Sequence, residues 1–277
     1  MSPGTRARRG RRRSAGRRTQ GGVAQLPFRQ PVHRPPPVEI LSAEQVEEIH
    51  ARSLAFLESD GVEVLSARGR EVLRAAGAEV DEAAGRVRLD RGLTEALIQK
   101  APPSFRLIAR NPDRSLDVGG RAMVFTAVSS APNAASLEGG RRPGCQRDFR
   151  DLLRLAQALN TVHALGGYPV EPTDLPPATR HLDCVADFVR LTDKTYRLYA
   201  LGAERIRDGL EMTRIAHGLD EAALEAGCYA FTNVNVNSPL RLDGPMAEGL
   251  IEMSALNQAV IVTPFTLAGA MAPVSLA

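Results

Sequence analysis

Short apolar runs recur along the second half of the chain, each ending at proline, glycine or a polar turn. They lie at 122–128, 163–168, 196–200, 229–234 and 259–264. Runs of this length, rich in β-branched and aromatic residues and bounded by breakers, read as buried parallel strands. Roughly 30 to 40 residues separate one run from the next, enough for a strand and one crossover helix. The stretches between them have helical spacing. Residues 148–159 turn Leu152, Leu153, Leu155, Ala156 and Leu159 to one side, and helices are predicted at 178–191, 204–217 and 245–258, with Pro245 suited to the first helical position. A hairpin-like segment, 135–143, follows the first run. The pattern predicts an α/β scaffold of about five repeating β/α units.

The upstream pattern is different. Ser42 and Gln45 have the spacing of a capping box, and Val46, Ile49, Leu54 and Leu57 continue at helical intervals until Asp60-Gly61. A second helix is predicted over 66–76, a hairpin turning near Gly85 over 79–89, and a third helix over 93–100 closed by Pro102 and Pro103. Phe105–Ala109 reads as a strand, and Asn111–Asp113 as a turn. Residues 38–118 are therefore expected to form an α+β cap, and residues 119–277 the repeating units. His50, inside the first predicted helix, reads as a surface or packing residue.

At 277 residues, 43% apolar and 24% charged, the chain has the composition of a soluble globular protein. No run approaches the ~18 apolar residues of a membrane span. Cys145, Cys184 and Cys228 are widely spaced, which suggests neither a disulfide framework nor a zinc site and points to a reducing, cytoplasmic setting. The net charge of +3 conceals an asymmetry: residues 1–37 hold ten arginines and no acid, and removing those ten charges leaves −7 for residues 38–277. This Arg/Pro-rich tail is expected to be disordered. A nucleic-acid-associated protein acting through it is an alternative reading, but no RNA-binding motif follows and aromatics are few, so nucleic acid is not the expected partner.

Several segments together resemble the trimethylamine methyltransferase family. They are Leu41–His50, Asp60–Val64, Ala101–Phe105, Asn237–Leu240 and Met271–Ala277, in this order and spacing, and the resemblance covers residue 38 to the end. It implies a (β/α)8 TIM-type barrel that takes a methyl group from a methylated amine, trimethylamine or a glycine betaine-like compound. The methyl passes to a corrinoid (cobalamin) held by a separate partner protein, so this chain is expected to bind no cofactor or metal itself. A barrel needs about 250 residues, so 119–277 is expected to be a partial barrel truncated after five units. By resemblance the chain is the N-terminal portion of a member, with the pyrrolysine position of some members further on. A non-catalytic fragment is the other alternative, and a homo-oligomer stays open.

Barrel enzymes build their sites at the C-terminal ends of strands. Here those positions are Thr126, Ser129 and Ser130; Tyr168 and Glu171; Tyr199; Asn233, Asn235 and Asn237; Thr263 and 267–269. Asn233 and Asn235 alternate, so their amides share a face and could hold a carboxylate or carbonyl oxygen; the other reading is a turn, favoured for Asn237. A quaternary ammonium is met by aromatic faces or a carboxylate. Phe125, Phe231 and Phe265 read as core, Tyr168 closes a Gly166-Gly167 strand end, and Glu171 could supply charge. The expected substrate-binding residues are Tyr168, Glu171, Asn233 and Asn235. Neither glycine pair fits a nucleotide fingerprint. His163, His181 and His217 read as structural or exposed, and Cys228 as buried.

Overall fold

The computed structural model describes residues 24–36, 38–237, 240–264 and 269. Phe265, 267–268 and the 271–277 motif lie outside the described residues.

Helix α1 (Ala43–Ser59) begins with the expected capping box: Ser42 Oγ accepts from the Gln45 N–H, and Gln45 Oε1 from the Ser42 N–H. Strand β1 (Val62–Val64), α2 (Ala67–Ala75), β2 (Glu79–Asp81), β3 (Arg86–Arg88) and α3 (Arg91–Ile98) follow. Val64, Ala78 and Val87 form their small core. The antiparallel pair β4 (Ser104–Leu107) and β5 (Leu116–Gly119) comes next, then the hairpin β6 (Asn133–Ser136) and β7 (Gly140–Pro143), and α4 (Gln146–Ala158).

The remainder alternates: β8 (Ala164–Leu165), α5 (Arg180–Leu191), β9 (Thr195–Tyr199), α6 (Ala203–His217), α7 (Glu221–Glu225), β10 (Phe231–Val236), β11 (Arg241–Leu242), α8 (Gly244–Ala255) and β12 (Ala259–Pro264). Strands β8, β9, β10 and β12 lie side by side in chain order, all parallel. The period-2 alternation of a strand decides which residues face which layer. Tyr196, Leu198 and Val234 turn to the helices, where Phe149, Leu153, Phe188, Ile206 and Met253 complete the main core. On the opposite face Ala164 and Phe231 pack with Leu107 and Leu116, so the β4–β5 pair covers the lower part of that face. Each large apolar side chain buried here contributes about 1.5–3 kcal/mol.

Three features of the structure are not written in the sequence pattern. First, residues 122–128 do not form a ladder: Thr126 makes a single parallel bridge to Ala164. The other amides go elsewhere, Met123 N–H to Pro31 O and Phe125 N–H to the His163 ring. Four strands therefore form the parallel sheet, and it does not close among the described residues. Second, order reaches into the tail. Gln25 bonds Ala158 and Asn160, Gln30 bonds both backbone groups of Asp117, and Phe28 lies edge-on to His163 with the Arg114 guanidinium 4.3 Å from its ring. Third, residues 38–118 serve two places. Strand β1 pairs in parallel with β11, and Arg68 on α2 bonds Glu248 and Glu252 of α8, whereas β4–β5 sits under the sheet.

No helix among the described residues is long and apolar enough to cross a membrane.

Candidate functional site

At the C-terminal ends of β9 and β10 a cleft of about 320 Å³ opens, lined chiefly by Ser129, Ser130, Arg197, Tyr199, Asn233, Asn235 and Met246. Small-ligand sites begin at about this size. The strands position its polar groups by alternation. Arg197 and Tyr199 point to the face away from the helices, and register sets Asn233 beside Tyr199 and Asn235 beside Thr263.

The asparagine amides are held in one orientation. Thr263 Oγ1 donates to Asn233 Oδ1 at 2.7 Å, because its neighbour on β10 leaves that oxygen within reach. Asn233 Nδ2 in turn donates to Asn235 Oδ1 at 2.8 Å. The chain of bonds engages both Asn233 groups and the Asn235 oxygen, and the Asn235 NH2 has no partner among the described residues. Asn237 lies past the strand and exchanges backbone bonds with Arg241, so it is a turn residue.

On the other wall the Arg197 guanidinium lies 4.6 Å from the centre of the Tyr199 ring, and its Nη2 is 3.4 Å from Ser130 Oγ. Ser130 Oγ and Tyr199 Oη are 2.7 Å apart, and Tyr199 Oη accepts the Tyr168 N–H at 3.0 Å. That close approach explains Gly167. At φ +139°, a Cβ there would stand 2.6 Å from Tyr199 Oη and 2.7 Å from Arg197 Nη2, so only glycine lets both side chains pass.

A second, smaller cleft of about 180 Å³ adjoins the first at Tyr199 and Leu201, and it holds Tyr168 and Glu171. The structure thus brings Asn233 and Asn235 together and sets Tyr168 and Glu171 apart from them. Tyr168 is buried against Phe149 and Phe188, and that burial pushes its phenol pKa up. Glu171 is paired with Arg180 at 2.6 Å, so its charge is already matched. Phe231 is core, whereas Phe125 is exposed and stacks near His163. Arg197 went unrecognised in the sequence. Its signal was present: one charged residue in an otherwise apolar run, two positions before Tyr199 and so on the same face.

The family model for trimethylamine methyltransferase matches residues 6–277. The chain is 33% identical over 242 residues to a glycine betaine methyltransferase of Desulfitobacterium hafniense (strain Y51), covering 87% of this chain and 50% of that one. It is 24% identical over 237 residues to a trimethylamine methyltransferase of Desulfitobacterium hafniense (strain DSM 10664 / DCB-2), covering 85% of this chain and 47% of that one. The chain spans about half the length of these curated relatives.

Proposed function

The chain belongs to the trimethylamine methyltransferase family, and from that premise we propose that it binds a methylated amine, trimethylamine or a glycine betaine-like compound, in the cleft above β9 and β10. The methyl group is handed to a corrinoid on a separate protein. The parallel sheet is read as part of the wall of a (β/α)8 barrel, a reading supported by strands laid in chain order with a helix in each crossover. In such a barrel ligands sit at the C-terminal strand ends, which is where Arg197, Tyr199, Asn233 and Asn235 converge. That convergence is the observation that carries the proposal.

The donors of the cleft are hydroxyls, amides and one guanidinium, a set suited to an organic substrate. The corrinoid, when its carrier protein docks, supplies the nucleophile that accepts the methyl. This chain's residues bind and orient. The Thr263–Asn233–Asn235 chain fixes the amide polarity before substrate arrives, so little reorganisation is left for the bound state.

The test is transfer itself. The chain, incubated with a corrinoid protein reduced to Co(I) and 13C-methyl-labelled trimethylamine or glycine betaine, is followed by NMR. Formation of dimethylamine or dimethylglycine is expected. No loss of methyl from any methylated amine would reject the proposal.

A further inference from the structure

Two helices begin at the smaller cleft: Arg180 and His181 in the first turn of α5 line it, and so does Arg205 in the first turn of α6. Neither helix is capped by a side chain. Thr179 makes no cap bond and Gly202 has no side chain to make one. By contrast α1, α2, α3, α7 and α8 each begin with a Ser or Asp that accepts from the first turn. The positive ends of both helix dipoles are thus left open at one small space.

The side chains supply a second, independent observation. Among the described residues three buried side-chain polar atoms have no hydrogen-bond partner. Two of them, Arg180 Nε and His181 Nδ1, belong to consecutive residues of this cleft, and the third, Thr195 Oγ1, lies on β9. Each costs about 1–3 kcal/mol while unpaired. The rest of both side chains is held. Arg180 donates to Glu171 Oε1 at 2.6 Å and to Leu175 O at 2.8 Å, and His181 Nε2 lies 2.8 Å from Asp208 Oδ2. A carboxylate only accepts, so Nε2 carries the ring proton and Nδ1 of the neutral ring is an acceptor. Arg180 Nε is a donor. The two unpaired atoms therefore call for a ligand that both accepts and donates, next to the Arg205 guanidinium, which is held at Pro177 O.

We propose that the smaller cleft, at the starts of α5 and α6, binds inorganic phosphate as a hydrogen phosphate ion. Its unprotonated oxygens accept from the Arg180 Nε–H and the Arg205 guanidinium and draw on the positive helix ends. Its remaining O–H donates to His181 Nδ1. Glu171 is the one acid of the lining, and its charge is matched by Arg180. At about 180 Å³ the cleft lies below the usual range for organic ligands, which suits a small ion. Sulfate has the same shape and charge but no proton to give to Nδ1. The site is separate from whatever the first cleft receives, which it meets at Tyr199 and Leu201.

Calorimetric titration of the chain in a phosphate-free buffer, with inorganic phosphate, sulfate and methyl phosphate in turn, tests this. At about pH 8 an imidazole is neutral and the monoester is a dianion without a proton, whereas inorganic phosphate keeps one. Phosphate is expected to bind about 10-fold more tightly than either, the range of one charge-assisted hydrogen bond. Arg205→Gln should weaken phosphate by about 10-fold, and His181→Phe should remove its preference over sulfate. On the unmodified chain, labelled for NMR, phosphate should shift the signals of Arg180, His181 and Arg205, a readout that stands even if a variant fails to fold. Sulfate binding as tightly as phosphate, phosphate shifts centred elsewhere, or no phosphate binding at roughly millimolar concentration would each overturn the proposal.

Discussion

His163 is buried at the foot of β8, with Nδ1 accepting the Phe125 N–H at 2.9 Å and Nε2 facing Arg29 O at 3.2 Å. The ring is therefore neutral, with its proton on Nε2. Burial chiefly, and the positive charge of nearby Lys194, hold its pKa below 6.5. The unfolded chain takes up this proton first as pH falls, so folded stability that is complete above pH 6.5 is lost below it, by at most about 1.4 kcal/mol per pH unit. Urea unfolding between pH 7 and pH 5 should show this loss, and His163→Gln, which keeps an acceptor and a donor but cannot titrate, should reduce the slope. An unchanged slope in the variant would assign the effect to other groups. The sequence permitted a structural reading of this histidine but not its role. The residue that anchors the 122–128 segment could not be picked out, because its partner amide lies 38 positions away.

At the scale of elements, Gln258 links the helix side to the strands. Its Oε1 accepts the N–H groups of Tyr229 and Ala230, and its Nε2 donates to the carbonyls of Leu224, Gly227 and Leu256. It fixes the start of β10 against the start of β12, and that register is what sets Thr263 beside Asn235 and within reach of Asn233 at the far end. Gln258→Leu fills similar volume but leaves these buried groups unsatisfied, so a loss of about 2–4 kcal/mol is expected in equilibrium unfolding. A loss under about 1 kcal/mol would mean that the backbone finds other partners. Helices and the strands at β9, β10 and β12 were legible because period 3.6 and period 2 are written in the side chains. The run at 122–128 has strand composition but not a ladder, since composition does not say where its amides go. Alternation put Asn233 and Asn235 on one face in the sequence, and the same rule puts Arg197 on the face of Tyr199.

For the whole molecule, the class of fold was readable and its closure was not. Repeating β/α units follow from local pattern, whereas the parallel pairing of β1 with β11 joins residues such as Glu63 and Arg241, far apart in the chain and without any local signature. That pairing ties the N-terminal helices to the loop that follows β10, beside the cleft. Glu171 lines the second cleft, where it pairs with Arg180 on α5. The proposed function requires that the cleft above β9 and β10, rather than its neighbour, receives the ligand. The most direct measurement is a titration of the isotopically labelled chain with glycine betaine, followed by backbone and side-chain NMR shifts. Perturbation centred on Ser130, Arg197, Tyr199, Asn233 and Asn235 is the predicted result. Shifts confined to Glu171, Arg180, His181 and Arg205 would place the ligand in the neighbouring cleft and contradict the account.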